Sequence, residues 1–165
     1  MLVAKSQSTG CGTKFAIRAQ GDTAMKMFTG EKMVLIVEDE QILVSLLEVT
    51  FTSNDIPNLS AHNGKGALDA VQRSATHVDL AVIDLGLPDM DGLVLCKRLR
   101  DINPEMKILI TSGSYNLDVR KMVLEQGVDS IIWKPYDLDE VLGRVERLLG
   151  RESVDISCLS VIHRN

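Results

Sequence analysis

The chain is short of the residues that mark a cross-linked, metal-laced or membrane-embedded protein. Its three cysteines, Cys11, Cys96 and Cys158, are odd in number, far apart and form no CxxC pair. That pattern argues against a disulfide framework or a thiolate zinc site and for a reducing, cytoplasmic setting. The three histidines, His62, His77 and His163, show no metal-ligand spacing. No apolar run approaches the roughly 18 residues of a membrane span, and the N-terminus lacks the continuous apolar core of a secretory signal. Basic residues do not dominate: 18 Lys plus Arg against 23 Asp plus Glu give a formal charge of -5, which argues against a general nucleic-acid binder. No glycine-rich loop follows the first apolar run, so the phosphate cradle of a nucleotide or flavin binder is missing.

What is present is apolar residues in a repeating order. With 45% hydrophobic residues in 165, the chain has material for one core plus tails. Residues 1–31 mix Gly, Ser, Thr and Lys with scattered apolar residues and no sustained period, and read as a tail or loosely attached extension. From residue 32 the pattern changes. "MVLIV" (33–37) is a continuous apolar run of the kind a strand buried on both faces requires, and a helical stretch follows over about 40–52. "PNLSAH" (57–62) is a weaker strand whose opening Pro57 places it at a rim. "GALDAVQ" reads as a helix with Ala67, Leu68 and Val71 inward, and "DLAVID" (79–84) as the third strand. The third helix carries Leu95, Cys96, Leu99 and Ile102 on one buried stripe. "KILIT" (107–111) is the fourth strand, followed by a helix burying Val119, Met122 and Val123 and stopping at Gly127. "SIIW" (130–133) is the fifth. The last helix, about 137–149, sets Leu138, Val141, Leu142, Val145, Leu148 and Leu149 at helical spacing. Residues 151–165 read as a C-terminal tail, in which "VDISCLSVI" (154–162) is either a short strand or a docking segment.

Five strand–helix pairs imply right-handed crossovers and a parallel sheet covered on both faces. The expected fold is an α/β, flavodoxin-like, doubly wound five-stranded parallel sheet, (βα)5, in the order 2-1-3-4-5. Ligands of such sheets bind beyond the carboxyl ends of the strands, near the switch point. There the first strand ends in Glu38 and Asp39, the third in Asp84, the fourth in Thr111 and Ser112, the fifth in Trp133 and Lys134. A carboxylate closing a buried strand, as Asp84 does, is costly unless a cation, donors or chemistry compensates it. Three carboxylates at one crevice repel and invite a hard divalent cation, for which Mg2+ is suited, and Lys134 offsets the remaining charge. Asp84, placed centrally, is then positioned to attack a phosphorus and become an aspartyl phosphate, with a strand-four hydroxyl on a phosphoryl oxygen. The plainer readings are that Glu38 and Asp39 cap the first helix, that Asp84 caps a turn, and that Lys134 and the arginines Arg144, Arg147 and Arg151 are solvated.

Taken together, "LIVEDE", "VIDLGLPDMDG", "ILITSG" and "WKPY", in this order and at these separations, resemble the receiver domain of two-component response regulators, over about residues 32–150. The resemblance implies a phosphoacceptor at Asp84, metal ligands at Asp39, Glu38 (through water), Asp84 and the backbone carbonyl of Gly86, and Mg2+ as the cofactor. It puts the phosphoryl-binding hydroxyl at Ser112 rather than Thr111, directly before the small Gly113, and the family's lysine at Lys134, with a cis bond to Pro135. It further implies a phosphohistidine donor, on a histidine kinase or a histidine phosphotransfer protein. The domain would be no enzyme acting on other molecules but would catalyse its own phosphorylation and dephosphorylation, switching a surface read by a downstream protein. Only residues 151–165 follow the last helix. The expectation is therefore a single-domain switch, a relay or phosphate sink, or an excised receiver of a hybrid kinase or larger regulator, without direct DNA binding or membrane contact, as a monomer or weak homodimer. An aspartyl-phosphate phosphohydrolase commonly needs a second acid two residues after the nucleophile, where this chain has Gly86. One position departs from the family pattern: the aromatic residue often found three places before the lysine is Ile131 here, with Trp133 closer to the lysine and Tyr115 in the loop after the fourth strand.

Overall fold

The apolar runs pair as the alternation requires. In the computed structural model, the described residues are 32–73, 77–113, 121, 123 and 125–151, with the backbone of 5–8, 13–17 and 26–29. In chain order the strands are β1 (Lys5–Ser8), β2 (Thr13–Ile17), β3 (Lys26–Thr29), β4 (Met33–Val37), β5 (Asn58–Ala61), β6 (Val78–Asp84), β7 (Lys107–Ser112) and β8 (Ser130–Trp133). The helices are α1 (Gln41–Ser53), α2 (Gly64–Arg73), α3 (Gly92–Ile102) and α4 (Leu138–Leu149). Lys121, Val123 and Glu125 are helical and fall where a further helix was expected between β7 and β8. Val123 is buried as expected, whereas Val119 and Met122 lie outside the described residues.

Strands β4 to β8 form one parallel sheet in the order β5-β4-β6-β7-β8. Counted from β4, this is the flavodoxin-like order 2-1-3-4-5. The strand after Pro57 is an edge, as expected, and the Pro57 carbonyl accepts a hydrogen bond from Val34 N at 2.9 Å.

Each face of the sheet has its own core, which explains why the strands are apolar without alternation. On one face Leu35, Val37, Ile83, Ile108 and Ile110 pack with Ala67 of α2 and with Leu95, Cys96 and Leu99 of α3. On the other Val34, Ile36, Val82 and Leu109 meet Leu47 and Phe51 of α1 and Val141, Val145 and Leu149 of α4. Ile102 corrects the expected α3 stripe: it is 42% exposed. Its angular position is right, but it is the last residue of α3, a turn beyond the level where the sheet covers the helix.

Local signals set the helix ends. Asp91 and Asp137 accept hydrogen bonds from Leu93 N and Asp139 N at the starts of α3 and α4. Gly150 ends α4 at φ 67, a left-handed conformation that glycine adopts without a Cβ clash. Within the segment read as an N-terminal tail, β1, β2 and β3 pair with one another as an antiparallel sheet, with Phe15 opposite Phe28. The C-terminal stretch "VDISCLSVI" and His163 lie outside the described residues.

Candidate functional site

At the carboxyl edge of the sheet the chain has to turn, and the residues that close the strands are the chemical ones. β4 ends and delivers Glu38, buried, and Asp39, exposed, before α1 begins. Neither acid sits at the α1 N-cap, which is Glu40, and that side chain makes no capping bond. Instead the Glu38 carboxylate accepts a long bond from Glu40 N at 3.4 Å and a short one from Lys134 Nζ at 2.7 Å. The plain helix-capping reading therefore does not describe Glu38.

Asp84 closes β6 and is buried beside Thr111 in the β6–β7 ladder. Its Oδ1 accepts from Gly86 N at 3.1 Å and its Oδ2 from Lys134 Nζ at 2.7 Å. One ammonium thus bridges the acids of the first and third core strands from the end of the fifth. Carboxylate oxygens of Glu38, Asp39 and Asp84 come within 4.8 Å of one another, so the three can hold a metal ion. All three donors are hard oxygens, the set a divalent cation of the Mg2+ type prefers.

The electrostatics follow from burial and proximity. Burial pushes the Glu38 carboxyl above its ordinary range and the negative charge of Asp84 adds to this, outweighing the hydrogen bond from Lys134. Burial works against the Lys134 ammonium, but its hydrogen bonds to Asp84 and Glu38 and their negative charge prevail, and its pKa is raised. The ammonium stays charged through the neutral range.

Thr111 and Ser112 are both buried at the end of β7. The Ser112 carbonyl accepts from Lys134 N at 2.7 Å and the Thr111 carbonyl from Leu85 N at 3.0 Å, tying the hydroxyl-bearing segment to both the lysine and the residue after Asp84. The Lys134–Pro135 bond is cis, as the resemblance implied. Gly86, whose carbonyl was expected at the metal, is exposed and held beside Asp84 through its own amide. The two described histidines lie away from the crevice chemistry: His62 is exposed, and the His77 ring lies 3.3 Å from Asn103 Nδ2. Cys96 is a core residue, with its thiol pushed up to about 12 by burial.

Sequence reasoning passed over Asp89. Its carboxylate accepts from Gly64 N at 2.8 Å and Lys65 N at 2.9 Å, fastening the loop after Asp84 to the start of α2 and lowering its own pKa through those bonds. A signal was available: α2 has no acid in its own first turn. Arg144 is likewise less solvated than expected, donating to Ser130 Oγ at 3.1 Å. Arg151 donates to the Asp55 carbonyl at 3.0 Å.

The fold and crevice define a flavodoxin-like α/β protein whose acid cluster is bridged by a lysine from the last strand of its sheet. The family profile of the response regulator receiver domain matches residues 34–146. The chain belongs to that family, the receiver domains of two-component systems. It is 34% identical over 119 residues to the response regulator ArlR of Staphylococcus aureus, a match covering 72% of this chain and 53% of ArlR. The chain thus spans about half the length of the curated relatives it matches. The receiver domain of the Francisella response regulator 1452 is similar at 30% identity and a TM-score of 0.67, covering 73% of this chain and 98% of that one. The CheY-like receiver domain protein of Methanospirillum hungatei JF-1 shares the fold, with a TM-score of 0.69 at 24% identity, over 74% of this chain and 96% of that one. Among the described residues no helix is long and apolar enough to cross a membrane.

Proposed function

We propose that the domain accepts a phosphoryl group on Asp84 from a phosphohistidine of a histidine kinase or phosphotransfer protein, in a Mg2+-dependent reaction, and so switches a protein-binding surface. The observation that supports this best is the meeting at one crevice of Glu38, Asp39 and Asp84, with carboxylate oxygens within 4.8 Å of one another, and of Lys134, which is hydrogen-bonded to Glu38 and Asp84.

Glu38, Asp39, Asp84 and the Gly86 carbonyl would hold the cation, with Glu38 acting through water. When bound, the cation supplies positive charge against the phosphoryl oxygens. The remaining work belongs to the chain. The Gly86 amide and the Lys134 ammonium each hold one oxygen of Asp84, so the carboxylate is oriented before a donor arrives. A carboxylate oxygen forms the new bond to phosphorus as the bond from phosphorus to the donor imidazole breaks, and the imidazole leaves with the electron pair and takes up a proton. Lys134 offsets charge on the transferred group, and the Ser112 hydroxyl donates to one of its oxygens. Hydrolysis resets the domain: water forms a bond to the same phosphorus as the bond from phosphorus to the Asp84 oxygen breaks, inorganic phosphate leaves and the free carboxylate is restored, so the domain acts on no other substrate.

The switching unit is residues 32–150, with residues 1–31 and 151–165 as its flanks. A cytoplasmic site of action, a downstream protein as reader and no direct DNA contact accord with the acidic balance of the chain. The test is incubation with Mg2+ and a small-molecule phosphodonor, read by intact mass. The native chain gains one phosphoryl group, stable in acid and labile in base, and Asp84→Asn gains none. Equal labelling of both, or of neither, refutes the reading.

A further inference from the structure

The Gly86 amide is held by Asp84 Oδ1, but the carbonyl assigned above to the cation belongs to the next peptide plane. Glycine has no Cβ to limit how that plane turns, so the carbonyl needs a fixed point further along the chain. The residues that follow supply one. Pro88 has a ring-locked φ and confines the residue before it, Leu87, to extended backbone. Two stiff residues therefore separate the Gly86 carbonyl from Asp89, and the Asp89 carboxylate is fastened to α2 by Gly64 N at 2.8 Å and Lys65 N at 2.9 Å. A helix cap ordinarily comes from a residue next to the helix, whereas this one is brought from 24 and 25 positions downstream. It ties the loop as much as it caps the helix.

The far end of the tie is itself immobilised. Ala67 anchors α2 in the core shared with α3, and Gly64 is buried. Asn63 Oδ1 accepts from Gly66 N at 2.7 Å, so the first three amides of α2 are all engaged, two of them by Asp89. The loop and the helix also touch: a Cβ on Gly64 would stand 2.5 Å from Met90 Cγ and Sδ, and Met90 packs against the same core.

Resting on the reading of Gly86 as a backbone ligand of the cation, we propose that Asp89 is a positioning residue for that ligand: its bridge to the start of α2, transmitted through Pro88 and Leu87, fixes where the Gly86 carbonyl sits and so sets the affinity of the crevice for Mg2+. Asp89 itself touches neither the cation nor the phosphoryl group. Its effect belongs to cation binding and not to the transfer step.

The experiment titrates Mg2+ into the full native chain, Asp89→Ala and Asp89→Asn by calorimetry, and in parallel measures the rate of labelling by a small phosphodonor as Mg2+ is varied. Groups that orient metal ligands commonly cost tenfold or more in metal affinity when removed, so Asp89→Ala is expected to raise the Mg2+ dissociation constant about tenfold. The Mg2+ concentration for half-maximal labelling should rise by the same factor, while the rate at saturating Mg2+ stays within about twofold of native. Asparagine keeps one acceptor oxygen and drops the charge, so Asp89→Asn should lie between the two, at about threefold. An unchanged dissociation constant in Asp89→Ala overturns the inference. So does a fall in the saturated rate with no change in half-saturation, or an Asp89→Asn as weak as Asp89→Ala, which would assign the effect to charge and not to the bridge. A native chain that binds Mg2+ but takes no phosphoryl group overturns the phosphoacceptor reading and leaves the calorimetric result to decide this one, whereas a native chain that binds no Mg2+ overturns both.

Discussion

Asp89 shows what a single side chain contributes to stability. Its folded pKa is depressed by the bonds it accepts from Lys65 N and Gly64 N, so the unfolded chain binds its proton more readily. The stabilisation is therefore present above the unfolded value of 3.8 and is lost as pH falls through the lower folded value. Urea titrations of the native chain and Asp89→Ala should differ at pH 6 and converge as the medium is acidified below that window. A gap that persists unchanged into strong acid would remove the carboxylate as its cause. Cys96 gives a second residue-scale outcome: with a buried thiol pushed up to about 12, it should ignore thiol reagents in a Cys11→Ser, Cys158→Ser background until denaturant opens the core. The meeting of Glu38, Asp39, Asp84 and Lys134 at the carboxyl edge was legible, because each lies within two residues of an apolar run whose strand carries it there. Asp89 was not, because its partners are backbone amides some two dozen positions earlier, and the missing acid in the first turn of α2 does not say which distant residue supplies it.

At the level of elements, the turn from β6 into α3 decides how Asp84 is presented. A Cβ added to Gly92 would stand 2.8 Å from Leu85 Cα and 2.9 Å from Asp84 O, both backbone atoms that cannot swing aside. Replacing glycine by alanine ordinarily favours a helix by roughly 1 kcal/mol, but overpacking of this kind costs about 1–3 kcal/mol. Gly92→Ala should therefore be destabilising in chemical denaturation and should slow labelling of Asp84 by displacing Leu85. The core elements were readable because strand runs and helical stripes carry their own periods, and their ends agree with the observed bounds to within a residue or two. Where reading failed, tertiary context was responsible: Ile102 has the right angle on α3 but lies beyond the sheet, and β1 to β3 arise in a segment with no sustained period.

For the molecule as a whole, two cores on opposite faces leave an apolar stripe exposed among the described residues. Ile42, Leu46 and Val49 follow one face of α1 and are 67%, 43% and 65% exposed. They begin three residues after Asp39, alongside the crevice, and exposed apolar stripes of this kind mark contact surfaces. If the phosphodonor is a protein, Leu46→Arg should slow transfer from the kinase that labels the native chain fastest by about tenfold, the equivalent of roughly 1.4 kcal/mol, while labelling by a small phosphodonor is unaffected. Equal slowing with both donors would locate the damage in the fold instead.

The bridge made by Lys134 gives the crevice a counter-ion of its own. Two acids that would otherwise push the sheet edge apart are tied to one ammonium, so the ends of three strands are kept together by a charge that the fold itself carries.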